Sequence, residues 1–242
     1  MAERGLRVIG AAPAGPEFCA VLKKLVKSDT FVTSFDDGRL RAAKTALYGQ
    51  EVEYVSFIEL VGRFLMMMGQ TAGVPAKAAQ LEALAAHLCE NLDGDSPYFQ
   101  AARHPGTHQV IAKNLSTLRL WGSNEDDLRA IAEKASPDLS VRLQALADLQ
   151  EGSRQFLDEL GREFPSSRVI RCMEHKMSHV SALKHVVVLM GAEEKPVWER
   201  WIAWLADQGV QVDCVVDWRS TGEPIFASSK RTASRMGRKI RI

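Results

Sequence analysis

Several things are scarce in this chain, and each scarcity narrows the reading. It holds only four cysteines, Cys19, Cys89, Cys172 and Cys214, all far apart, with no C-x-x-C pair. A zinc or iron–sulfur site built within the chain is therefore not expected, and each cysteine reads as a small buried hydrophobe. No apolar run reaches membrane-spanning length, and the first residues lack the apolar core of a secretory signal. A reducing cytoplasm and no membrane partner are the expectation. No Ser–His–Asp or Cys–His arrangement is evident, and the local glycine signatures of nucleophilic catalysis are missing. Repeats and low-complexity tracts are absent too.

What is present describes a globular protein of 242 residues, 46% hydrophobic and 25% charged. That length buries a sizeable core in one large domain or two small ones. The net charge is +1, but it is unevenly placed. Residues 230–242 carry Lys230, Arg231, Arg235, Arg238, Lys239 and Arg241 with no acid; removing these six cations takes the net charge from +1 to −5 for residues 1–229. A basic tail on a mildly acidic body offers phosphate neutralisation with counterion release, and is the best candidate for a nucleic-acid contact. A solubilising end, or a strand awaiting a partner domain in the closing KIRI, is the competing reading. Lys23, Lys24, Lys27, Arg39, Arg41 and Lys44 add positive charge near the first two helices, as a contact or only as exposed faces.

The stretch from Leu6 to Lys27 organises the rest. Leu6 to Ile9 read as a buried strand and Gly10 to Gly15 as a small-residue loop. Phe18, Val21, Leu22 and Leu25 then fall on one helical face. Strand, glycine-bearing loop and helix is the layout of a P-loop. Gly10 and Gly15 have the P-loop separation, but Pro16 and Glu17 stand where the phosphate-binding Lys and the Mg²⁺-binding Ser/Thr belong. Proline lacks even an N–H donor, and glutamate repels phosphate. No cofactor is expected; ATP with Mg²⁺ enters only if an unusual phosphate loop operates.

Further on, Thr30–Thr33 and Val52–Val55 read as strands, each followed by a helix: one capped by Ser34, Asp36 or Asp37, the next by Ser56 with Glu59 in a capping box. From Pro75 to about Leu160 the pattern is helical only. Leu81, Leu84 and Leu88 mark one helix, and Val110, Ile111, Leu115 and Leu118 a second. A third starts at Ser123 with Asp126, and a long fourth runs from Leu139 to Leu160. Strands then return at Val169–Ile170, Val186–Met190 and Val210–Val216, with a helix over Pro196–Leu205 between the last two. The implied fold is α/β: a parallel P-loop or RecA-like sheet of five or six strands flanked by helices, with an all-helical insertion. The boundaries are 1–74 for the first part of the α/β domain, 75–165 for the insertion, 166–229 for the second part and 230–242 for the tail.

Other clusters carry weaker chemistry. His175 and His179, and His104 and His108, have chelating spacing without a third ligand; Pro105 makes the second pair a helix start. Glu193 and Glu194 follow an apolar strand, as the Mg²⁺-binding and water-activating acids of P-loop enzymes do, but without a loop lysine they read as a turn. Trp198, Trp201 and Trp204 recur every three residues and read as a buried helix face.

RVIGAAPAG, DTFVTSFDDGRLRAAKTAL, VEYVSFIELVGRFL, YFQAARHPGTHQVIAKNLSTLRLWG and HVVVLMGAEEKPVWERWIAWLADQGVQVDCVV occur in this order and span most of residues 6–217. Together they resemble the N-terminal helicase-like region of the AddB/RexB-type subunit of bacterial ATP-dependent helicase–nucleases. The resemblance implies a helicase fold that is not the motor, acting in DNA double-strand-break end processing and recombinational repair. DNA, as duplex ends or single strand, and a motor helicase–nuclease subunit are the implied partners. The family's downstream nuclease and its four-cysteine cluster have no counterpart: Asp213, Asp217 and Glu223 do not form its acidic set. The chain is accordingly expected to be a fragment or a stand-alone remnant, catalytically inactive by itself. A divergent P-loop ATPase and a purely structural docking domain remain as alternatives.

Overall fold

Alternating apolar runs and amphipathic segments set the order of elements in the computed structural model, which describes residues 5–12, 14–71, 73–175, 184–191, 195–217 and 240–241. The chain runs β1 (Leu6–Ala11), α1 (Pro16–Leu25), β2 (Thr30–Ser34), α2 (Asp37–Ala46), β3 (Glu53–Ser56) and α3 (Phe57–Met67). It continues through β4 (Val74–Pro75), α4 (Ala78–Glu90), α5 (Phe99–Ala102), α6 (Pro105–Trp121), α7 (Glu125–Ala132), α8 (Pro137–Glu159), β5 (Arg162–Glu163) and α9 (Pro165–Glu174). β6 (His185–Met190), α10 (Pro196–Asp207), β7 (Gln211–Asp217) and β8 (Ile240–Arg241) follow. Two compact units result, one from residues 1–71 with 171–242, the other from residues 72–170.

The first unit is an α/β sandwich. Its sheet has the order β3-β2-β6-β7-β1-β8, and every neighbouring pair is parallel. β6 is buried at all six positions, as a central parallel strand must be when helices cover both faces. The crossovers β1–α1–β2 and β2–α2–β3 advance along the sheet in one direction, and β6–α10–β7 in the other. Right-handed crossovers therefore place α1 and α2 on one face and α10 on the opposite face. Packing agrees. Phe18 and Leu22 of α1 and Leu40 and Ala43 of α2 share a core with Ala11, Val32, Val187, Leu189 and Val215. Beneath α10, Trp201 meets Phe57 and Phe64 of α3 edge-on, with ring centroids 4.7 and 5.6 Å apart. Trp198 and Trp201 are buried, so the tryptophan repeat is a core face.

The second unit is built on α4 to α8, with β4 and β5 paired in parallel as a separate two-stranded ladder. Ala85, Cys89, Ile111, Leu115 and Leu149 form one cluster, and Ala76, Leu84, Leu157 and Phe164 another.

Four sequence expectations change. Gly10 and Ala11 belong to β1, because they pair with Val216 and Asp217 of β7; the loop begins only at Ala12. Val169 and Ile170 lie in helix α9, where Val169 is buried. Pro165 starts that helix, and two β-branched residues were too short a run to outweigh the start signal. Asn124, not Ser123, caps α7: its side chain accepts from Asp127 N–H at 2.8 Å, and Asp127 returns a bond to Asn124 N–H at 3.0 Å. Cys19 is half-buried, whereas Cys89, Cys172 and Cys214 are buried as expected.

Candidate functional site

In an open parallel sheet the carboxyl ends of the strands form the ligand-binding edge, at the point where neighbouring strands leave to opposite faces. β2 and β6 are such neighbours, since β2 leads into α2 and β6 towards α10. Four segments meet at this edge: the turn after β1, Ser34 to Asp36 after β2, Met190 and Gly191 after β6, and Asp217 at the end of β7. Ser34 ties two of the strands, its Oγ donating to Leu189 O at 2.9 Å and accepting from Asp36 N–H at 3.1 Å. Asp36 then caps α2, its Oδ1 accepting from Gly38 N–H at 2.7 Å.

The turn after β1 leads to Gly15, Pro16 and Glu17, whose sequence reads as a degenerate phosphate loop. Gly15 sits at φ +91°, ψ −166°, a conformation essentially restricted to glycine. Its Cβ position is open space, so the backbone angle alone demands glycine there. Pro16 occupies the first turn of α1, Glu17 follows it, and both are exposed. The α1 N-terminus thus presents a proline without a donor and a carboxylate of its own, which complements the helix dipole from within. Arg39, the basic side chain that reaches this edge from α2, is held by both carboxylate oxygens of Asp217, with Nη1 to Oδ1 at 2.7 Å. ATP with Mg²⁺ does not fit this set: the lysine and hydroxyl positions are Pro16 and Glu17, and Arg39 is neutralised by Asp217. Among the described residues no three His, Cys, Asp or Glu side chains are grouped to hold a metal ion.

The remaining candidates are dispersed. His104 is the N-cap residue of α6, while His108 lies inside α6 with Nε2 at 2.8 Å from Ala102 O, a local tie. His179, Glu193, Glu194 and Glu223 lie outside the described residues, as do Lys230, Arg231, Arg235, Arg238 and Lys239. Arg241 belongs to β8, whose backbone pairs in parallel with Val8 and Ile9 of β1. Asp213 and Asp217 sit in one strand four residues apart, about 13 Å along it, and each has its own arginine.

One polar constellation escaped the sequence reading. At the amino end of the sheet, Arg7 of β1 donates to both carboxylate oxygens of Asp213 of β7. His185 of β6 places Nε2 2.8 Å from Asp213 Oδ2 and Nδ1 3.0 Å from Thr30 Oγ1 of β2. Thr30 Oγ1 accepts from Lys27 N–H at 3.0 Å, which leaves its O–H to donate to Nδ1. Hydroxyl, imidazole and carboxylate stand in the order of a nucleophile relay. However, Thr30 is only 2% exposed, and Arg7 neutralises the acid. Burial pushes the Asp213 carboxyl up, but hydrogen bonds from His185 and Arg7, with their charges, outweigh it and hold the group below the usual carboxylate range. The arrangement ties four strands together around a fully buried carboxylate. Its members are spread over 206 positions, and only the spatial order of the strands brings them together.

Compared with protein-family models and with curated proteins, the chain matches none.

Proposed function

We propose that this chain is a non-catalytic, helicase-like domain for DNA double-strand-break end processing and recombinational repair, binding DNA or a helicase–nuclease partner. The observation that carries this reading is a strand, glycine turn and helix at the ligand edge of a doubly wound parallel sheet, with Pro16 and Glu17 replacing the groups that grip a triphosphate. A motor scaffold relieved of its motor chemistry keeps this layout and loses those two residues. The helices of residues 72–170 fall between β3 and β6 in sequence, and this order supports reading them as an insertion into a RecA-like sheet.

The test is binding to linear duplex with free ends against closed circular duplex, over a salt series. Preferential binding to linear DNA with a steep salt slope is expected, and neutralising Lys230, Arg231, Arg235, Arg238, Lys239 and Arg241 reduces it. No binding to either DNA, together with failure to associate with a motor helicase–nuclease subunit, overturns the reading. Tight Mg-ATP binding lost in a Gly15 variant would replace it with the divergent ATPase.

A further inference from the structure

We infer that the outer flank of α2 and the turn after it, carrying Arg41, Lys44 and Tyr48, bind single-stranded nucleic acid, with phosphates at the two cations and an unstacked base on the tyrosine ring. The inference rests on the DNA-binding reading above and adds a surface to it.

Arg41 and Lys44 lie three residues apart on one side of α2, and Tyr48 follows in the turn just after the helix ends at Ala46. Leu40, Ala43 and Leu47 take the inward direction and are buried, which turns the flank to solvent. Tyr48 is 93% exposed, the most exposed of the large hydrophobic side chains described. Tyr54 of β3 shows the contrast: its ring lies 5.7 Å from Lys44 Nζ and is partly buried. An exposed ring beside cations is the composition of a stacking platform, where a base covers the aromatic face and the backbone runs along the charges.

The charges are available. Arg7, Arg39, Arg63, Arg119, Arg129, Arg154 and Arg168 each pair with a carboxylate. Among the described residues Arg41 and Lys44 form no ion pair, and together with Leu40 and Asp37 they line a shallow concavity of about 270 Å³. Asp37, the one acid there, lies at the N-terminal end of α2, away from Tyr48. A single strand is favoured over duplex because a paired base inside a duplex cannot offer its face to the ring.

The experiment is fluorescence anisotropy of the full chain with labelled oligothymidylate over a salt series, with blunt duplex and anionic phosphatidylserine vesicles as parallel probes. Tyr48→Ala is expected to weaken single-strand binding roughly ten-fold and Tyr48→Phe to retain it, because stacking needs the ring and not the hydroxyl. Arg41→Gln with Lys44→Gln is expected to reduce the salt slope by about 1.4, from about 0.7 per neutralised phosphate. All three positions are exposed, so an unchanged melting curve accompanies each variant. Tyr48→Ala binding the single strand as the parent does overturns the inference and leaves the DNA-end reading standing, provided duplex still binds. Vesicle binding that falls in the same variants while single-strand binding does not also overturns it. Absence of binding to any DNA overturns the inference, and overturns the reading it rests on only together with failure to associate with a motor helicase–nuclease subunit.

Discussion

His185 and Asp213 meet inside the sheet, imidazole Nε2 to carboxylate Oδ2 at 2.8 Å, with Arg7 closing the other side of the carboxylate. The Asp213 side chain is fully buried, so removing its charge strands the donors of Arg7 and His185. Asp213→Ala is expected to cost about 3–5 kcal/mol in urea denaturation, the penalty for breaking a buried pair by deleting one partner.

The same carboxylate sets an acid dependence. Its folded-state affinity for protons is lower than in the unfolded chain, so its contribution is complete above the unfolded value. Stability is expected to fall as pH drops below about 4, with further loss down through the lower folded value. Denaturation midpoints across that range should show this acid limb, and Asp213→Asn should flatten it.

The first turn gives a backbone prediction. Gly15 holds φ +91° with open space around its Cβ position, so Gly15→Ala isolates conformational strain from steric clash. The expected cost is about 1–3 kcal/mol. Gly94→Ala, also in open space but without a positive φ, is the matched control and should be near neutral in the same thermal melts.

Nucleotide should leave the protein unmoved. A ligand at a hundred times its Kd stabilises by about 2.7 kcal/mol, an easily read rise in Tm. With Pro16 and Glu17 opening α1 after Gly15, millimolar Mg-ATP is expected to give no rise, and a clear one would return the ATPase reading.

Thiol labelling should be selective. Burial pushes the Cys172 thiol up to about 11, partly countered by the Trp201 indole N–H at 3.5 Å. Cys89 and Cys214 are buried as well, and Cys19 is half-buried. Iodoacetamide followed by peptide mass analysis is expected to modify Cys19 first, with the other three reacting only in denaturant.

Local signals carried much of the fold. Ser56 accepts from Glu59 N–H, as the cap spacing implied, while the Glu59 carboxylate turns instead to Arg63 four residues on. The apolar run ending at Met190 became a fully buried central strand. What periodicity could not supply was adjacency. Nothing in a linear reading says that β6 lies between β2 and β7, and so nothing joined Thr30 to His185 or Arg39 to Asp217. The short α5 and the two-residue strands β4 and β5 were likewise illegible, because a single turn or a single ladder pair leaves no repeat to detect. Tyr48 was overlooked for a different reason: exposure is a tertiary property, and a tyrosine after a helix reads the same whether covered or bare.

β1 finds its main partner, β7, across 206 residues of chain. During synthesis at about 5–20 residues per second, the opening strand waits some 10–40 s before its neighbour exists. Residues 72–170 are contiguous and emerge complete well inside that interval. Residues 72–170 are therefore expected to pack before the sheet closes, with β1 lacking its main partner until β7 has left the ribosome.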